Sequence, residues 1–354
     1  MPAPSYERYG LTGNPFRDLS SEAISDVELY HVNLDVDRNL DRIKEEVFEK
    51  ENRAFVALVG LHGAGKTERL LVAWAEARER KAFAVYFDIT TKTTWVTKGL
   101  AQAFGRAARA AGYQRLFGTP RWVRDLASLE RMKDANYDPV RVGRVIANAL
   151  NATAPSMLLL NDLHNLSAST ELSAFAKALQ QLVDSVRPGV IVMFGAYPSF
   201  MLQLAAVYPP LSSRINRMLV LPRLTAEEAA LLIAKKLLAK RLVDGLDPLY
   251  PFDKESVTQL NEVSAGNPRH LLEMADVALE YGVAHRSYRI DLEIVRSALL
   301  ERQAGEIKAA VDIRSTQWKE QPPPSGPTPK KVTAPTAVDP ALGGQRAAST
   351  PVVR

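Results

Sequence analysis

The 354-residue chain contains no cysteine. Disulfides and thiolate-held zinc or iron–sulfur centres are therefore excluded. The absence fits a reducing compartment or a hot-growing source and chooses between neither. Histidines are few, five in all, and none stands at metal-ligand spacing. No apolar run is long enough to span a bilayer as a helix. The first residues, Met1-Pro2-Ala3-Pro4-Ser5-Tyr6-Glu7-Arg8, carry no signal-peptide core, so a cytoplasmic location is expected. Neither sign of charge dominates: 45 Lys and Arg against 40 Asp and Glu leave a formal net charge of +5. Such a balance is compatible with nucleic acid or an anionic surface without demanding either. What remains, 46% hydrophobic and 24% charged residues, is ordinary for a globular protein long enough for two domains.

Against this plain background one segment carries chemistry. Gly60-Leu61-His62-Gly63-Ala64-Gly65-Lys66-Thr67 is a complete Walker A loop, preceded by the apolar run Ala54-Phe55-Val56-Ala57-Leu58-Val59. Glycines let backbone N–H groups turn inward around phosphates, Lys66 is placed to reach the β- and γ-phosphates, and the Thr67 hydroxyl to ligate Mg²⁺. Glu68 follows in the first turn of the next helix, whose positive end adds to the anion site. Leu70, Leu71, Trp74, Ala75 and Ala77 make that helix amphipathic. ATP and Mg²⁺ are the expected ligands.

The flanking pattern predicts an α/β fold. A helix is expected over 35–51, with Leu40, Ile43 and Val47 at helical spacing, and further helices over 93–112 and 139–151. Strands are expected at 54–59, 82–87, 157–160, 190–194 and 218–221, and a helix between the third and fourth repeats Leu172, Phe175, Leu179, Leu182 and Val186. Short apolar strands alternating with helices imply a parallel five-stranded sheet covered on both faces. After Pro222 the pattern is helical only. Thr225-Ala226-Glu227-Glu228 is a capping box, Asn267-Pro268 opens a third helix, and a fourth spans about Leu292 to Ile307. The expected organisation is an N-terminal segment (1–34), a nucleotide-binding α/β domain (35–222), a small all-α lid (223–310) and a disordered, Pro-rich basic tail (311–354).

A phosphate loop needs an acidic strand end opposite it, for Mg²⁺ and for the attacking water. The third strand ends Leu158-Leu159-Leu160-Asn161-Asp162, where Asp-Glu is the usual pair. Asn161 still holds a metal-bound water but brings no charge, and Asp162 is one methylene shorter than the usual base. Either Asp162 works alone and hydrolysis is slow, or the protein is mainly a nucleotide-dependent switch. On this reading Asn161→Asp is expected to raise turnover.

Together these motifs resemble an AAA+ ATPase, most similar to the ExeA-like and TniB-like group that neighbours the origin-recognition ATPases. Four stretches carry the resemblance: Tyr9-Gly10-Leu11-Thr12-Gly13-Asn14-Pro15-Phe16; Asn161-Asp162-Leu163-His164-Asn165-Leu166-Ser167; Leu211-Ser212-Ser213-Arg214-Ile215 through Leu221-Pro222-Arg223-Leu224-Thr225-Ala226-Glu227-Glu228; and Ala265-Gly266-Asn267-Pro268-Arg269. The resemblance implies an ATP hydrolase working as an oligomeric switch on double-stranded DNA, in replication, transposition or DNA maintenance, with a protein partner it does not name. A secretion- or pilus-type assembly ATPase and a nucleotide-binding adaptor with little hydrolysis are the alternatives. It further implies that Arg269 touches the γ-phosphate as a sensor 2 arginine. Arg214, or else Arg217, would enter a neighbour's site as a finger. Where a polar sensor 1 residue is usual, the chain runs Gly195-Ala196-Tyr197-Pro198-Ser199, leaving Tyr197 or Ser199 for that role. Arg106, Arg109, Arg115, Arg121 and Arg124, interleaved with Tyr113, Phe117 and Trp122, form the candidate nucleic-acid surface. An ordinary solvated helix face explains them slightly better. Trp74, Trp95 and Trp122 read as core residues rather than stacking platforms.

Overall fold

Alternation along the five strands decides the layers. In β1 (Arg53–Val59), Phe55, Ala57 and Val59 face one way and Ala54, Val56 and Leu58 the other, and both sets are buried. A strand buried on both faces needs a cover on each. The structure, a computed structural model, describes residues 6–17, 31–32, 34–50, 52–90, 96–113, 118–131, 138–166 and 171–305. Before β1 lies α1 (Asp35–Phe48); after it come α2 (Lys66–Glu79), β2 (Phe83–Asp88), α3 (Val96–Ala110), α4 (Arg121–Glu130), α5 (Pro139–Ala152) and β3 (Ser156–Asn161). Then follow α6 (Leu172–Ser185), β4 (Val190–Ala196), α7 (Pro198–Val207), α8 (Pro209–Ser212) and β5 (Arg217–Val220). The sheet is parallel throughout, in the order β2-β3-β4-β1-β5.

One face packs Phe55, Val85, Leu158, Leu160, Val192 and Phe194 against α3 to α6; the other packs Val56, Leu58, Met157, Leu159 and Ile191 against Leu40 and Ile43 of α1 and Leu70 and Ala73 of α2. Burying a Leu or Phe side chain contributes about 1.5–3 kcal/mol, so these two layers hold the sheet rigid beneath the loops at its C-terminal end. A buried ion pair ties α1 to α2: Arg69 Nη2 donates to Asp37 Oδ2 at 3.0 Å, and Asp37 Oδ2 also accepts from Leu34 N at 2.9 Å. Removing one partner of such a pair costs about 3–5 kcal/mol.

The C-terminal part is helical: α9 (Ala226–Leu238), α10 (Lys254–Val263), α11 (Pro268–Ala284) and α12, residues 292–305. Its caps have clear causes. Glu228 N donates to Thr225 Oγ1 at 3.2 Å and Thr225 N to Glu228 Oε2 at 2.8 Å, closing the predicted capping box. Asn267 Oδ1 accepts from Arg269 N and His270 N at the start of α11. Its core also contains Tyr9, Leu11 and Phe16 from the segment before α1. Asn14 Nδ2 strengthens that attachment by donating to Asp276 at 2.6 Å and Glu280 at 2.8 Å.

The sequence places the strands to within a residue or two, and helix ends less well. The first helix stops at Phe48 rather than 51, the helix expected over 93–112 is Val96–Ala110, and α4, α7 and α8 are additional. Ile307, the tail over 311–354, Trp95, Arg115 and Phe117 lie outside the described residues. The two described aromatics of the basic stretch pack against the core: Trp122 and Tyr113 meet edge-on with ring centroids 5.1 Å apart, and both meet Phe83. Trp122 is buried and not available to stack on bases. Among the described residues, no helix is long and apolar enough to cross a membrane.

Candidate nucleotide-binding site

The central position of β1 places the phosphate loop. Gly60 N donates to the carbonyl of Ala196, the last residue of β4, at 3.2 Å, so the loop leaves the sheet between β4 and β5. Gly63 and Gly65 have φ of +75° and +86°, a left-handed conformation that side chains with a Cβ adopt only with strain. Gly65 is the N-cap of α2 and offers no side chain to its amides, so the helix's positive end stays open to an anion.

Lys66 is buried. Its ammonium donates to Gly60 O at 2.9 Å and Leu61 O at 2.8 Å and lies 4.4 Å from the Tyr197 ring centroid. Burial lowers its pKa to about 8, against the opposing pull of Asp162. Tyr197 is the centre of a small aromatic group. Its hydroxyl lies 3.1 Å from His62 Nδ1, and its ring stacks on His164 at 3.7 Å. Burial, then Lys66 and His62, pushes the His164 pKa down to about 4 and keeps that imidazole neutral near pH 7. Ser199, the other candidate for the sensor 1 role, is exposed in the first turn of α7.

Asn161 is fully buried at the end of β3. Thr67 Oγ1 donates to Asn161 Oδ1 at 3.0 Å, and Asn161 Nδ2 donates to Asp88 Oδ1 at 2.9 Å. Asp88 ends β2 and faces Asn161 in the parallel register. Asp162 follows with a φ of +52°, which turns the chain off the sheet. Its carboxyl pKa is raised, first by burial and then by Asp88, while Lys66 and His62 pull it down. Asp88 is the residue sequence reasoning missed. The signal was present, since Val85-Tyr86-Phe87-Asp88 is a second strand running into an acid.

A hydroxyl, a carboxamide and two carboxylates suit a hard cation such as Mg²⁺. No group of three or more His, Cys, Asp or Glu among the described residues could hold a metal. The ion would therefore be shared with phosphate oxygens and water, as Mg²⁺ usually is at nucleotide sites.

The lid touches the loop directly. Asn267 Nδ2 donates to His62 O at 2.7 Å, and Arg269 N lies 3.3 Å from Gly63 O. The contact is tight: a Cβ on Gly63 would sit 2.6 Å from Arg269 Cβ. The Arg269 guanidinium pairs with Glu273 at 3.1 Å, yet its charge is near enough to oppose the rise that burial and then Asp162 give the Tyr197 pKa. Glu68 turns its carboxylate to His31 at 3.2 Å, and Leu61 and Ala64 complete the loop, Leu61 exposed and Ala64 buried. Loop, Lys66, Thr67, Asn161, Asp162 and Arg269 thus meet at the C-terminal end of the sheet.

Arg214 does not join them. It lies beside Phe55 and Asn216 near the opposite end of β1, bonded to the Asp184 carboxylate and to Pro210 O, the latter at 2.7 Å. Arg217 pairs with Glu46 at 3.2 Å.

No family model matches the chain. An uncharacterised HTH-type transcriptional regulator of Methanocaldococcus jannaschii is 24% identical over 111 residues, 31% of this chain and 27% of that protein. The match thus spans about a quarter of that relative. The Aeropyrum pernix ORC1 protein, solved in complex with DNA, superimposes with a TM-score of 0.50 at 16% identity, covering 81% of this chain and 68% of that one. The ORC2 protein of the same organism, solved in ADPNP–ADP complexes, gives 0.50 at 14% identity over 85% and 72%. The fold is that of an AAA+ P-loop ATPase. At such identities the likeness speaks for the fold alone.

Proposed function

We propose that this chain binds ATP with Mg²⁺ and hydrolyses it, as an AAA+ ATPase near the origin-recognition ATPases and of the ExeA-like and TniB-like kind. It acts in the cytoplasm as a homo-oligomeric switch on double-stranded DNA, together with a protein partner. The observation that carries the nucleotide reading is the joint placement of the Gly60–Thr67 loop, the Thr67–Asn161 contact and the docked start of α11. The DNA reading draws support from the complex in which the A. pernix ORC1 protein was solved and from the M. jannaschii protein's name as a transcriptional regulator.

Backbone N–H groups of residues 60–67 and the start of α2 bind the phosphates. Lys66 exchanges two carbonyls and the Tyr197 face for phosphate oxygens. Thr67 and Asn161 hold the metal's side of the site, and Mg²⁺, when bound, offsets charge on the phosphates. Asp162, its carboxyl pKa raised first by burial, accepts a proton from the attacking water. Arg269 leaves Glu273 for the γ-phosphate, Tyr197 takes the sensor 1 position, and Arg214 completes the site of a neighbouring subunit.

A second reading, a nucleotide-binding adaptor with little hydrolysis, is favoured by Asn161, which brings no charge of its own beside Thr67. Steady-state ATP turnover with and without duplex DNA, at two salt concentrations because phosphate contacts are salt-sensitive, separates the readings. DNA-stimulated turnover is expected. Tight binding without turnover supports the adaptor. Turnover indifferent to DNA removes the DNA role and favours the assembly ATPase.

A further inference from the structure

We infer that Asp88 is a positioning residue of the metal site, supplying through Asn161 the negative charge that residue 161 itself lacks. The inference rests on the nucleotide reading and adds to it an acid from a neighbouring strand.

The parallel register sets Asp88 directly beside Asn161, at the end of the sheet where the phosphate loop lies. A carboxamide has one donor end and one acceptor end. Asp88 Oδ1 takes the donor end at 2.9 Å, which leaves Asn161 Oδ1 facing Thr67 Oγ1 at 3.0 Å. The carboxylate is the acceptor that fixes the direction of the amide of this fully buried residue. A hydrogen bond to an ionised acid is stronger than one between neutral groups and polarises the amide, so its oxygen is more negative where a cation would sit. The hydroxyl, the amide and the acid form one line, Thr67 to Asn161 to Asp88, crossing from α2 to β3 to β2. Charge that a single aspartate would bring to the end of β3 is here divided between a neutral ligand and the acid behind it.

The arrangement makes the single swap at 161 unhelpful. An aspartate there would face Asp88 at hydrogen-bond distance, and two carboxylates that close do not both ionise readily. Exchanging both residues keeps one amide and one acid in contact and moves the charge to the front.

The test is equilibrium binding of a fluorescent ATP analogue to the full chain, titrated with Mg²⁺ from an EDTA-treated start. Asp88→Asn should leave metal-free affinity within about two-fold and raise the Mg²⁺ midpoint roughly ten- to a hundred-fold, the usual cost of losing an outer partner of a metal ligand. The double variant Asp88→Asn, Asn161→Asp should bring the midpoint back to within about three-fold of wild type. Thermal melting in EDTA checks that each variant folds. Should Asp88→Asn fail to fold, Asp88→Ser keeps an acceptor without the charge and is read the same way. An unchanged midpoint in the folded single variant overturns the inference, as does a double variant no better than the single one. A wild-type chain that binds no ATP would instead overturn the nucleotide reading, and this inference with it.

Discussion

At the C-terminal end of the sheet, Lys66 is held by two carbonyls and a tyrosine face, with Asp162 acting on it through space. Near the N-terminal end, Arg214 is held by the Asp184 carboxylate and the Pro210 carbonyl. Carbonyls and an aromatic face offer a cation less than an anion does, so a phosphate takes Lys66 cheaply. Arg214 has to leave an ion pair first, though that pair is partly exposed and screened by solvent. The difference fits the two proposed duties: binding within the subunit at one end, and a finger in a neighbour's site at the other.

The largest effect expected from breaking this contrast is on turnover. Arg214→Ala should lower kcat of the assembled protein by about 10³-fold, the lower range for an arginine finger, while ATP affinity of the dilute protein stays unchanged. Steady-state rates at rising protein concentration check it; an equal loss at every concentration would place Arg214 outside a neighbour's site. Gly63→Ala comes next. It forces a Cβ into a φ of +75° and into the Arg269 side chain, at about 1–3 kcal/mol. ATP affinity should fall about ten-fold and hydrogen exchange at the start of α11 should rise. Asn267→Ala removes the α11 cap and the bond to His62 O, and should cost about 1 kcal/mol, read as a lower melting temperature. Asp184→Asn should do least, leaving ATP affinity within about two-fold because it touches only the far end.

Much of this was legible in the chain, for a physical reason. Doubly buried strands must be short apolar runs, and a phosphate loop must be rich in glycine, so both leave local marks. Which strands become neighbours is a long-range outcome, and residues 88 and 161 carry no sign that they meet. That meeting argues against one expectation: Asn161→Asp, predicted from sequence to raise turnover, would place two acids in contact. The burial of Tyr9, Leu11 and Phe16 in the lid core was equally hidden, because a short mixed segment has no periodicity of its own. Trp122 and Tyr113 show the opposite case. Their basic neighbours suggested a nucleic-acid surface while Trp122 itself read as core, and its packing on Phe83 agrees with the second reading.

The central claim is that the Gly60–Thr67 loop binds ATP through Lys66. Titrating a fluorescent ATP analogue into the wild-type chain and into Lys66→Ala, at one Mg²⁺ concentration, tests it most directly. Saturable binding by the wild type is expected, with about a hundred-fold loss in the variant, from about 1.5–3 kcal/mol in charge-assisted hydrogen bonds, and the melting temperature little changed. Equal affinity in the two proteins, both folded, would contradict it.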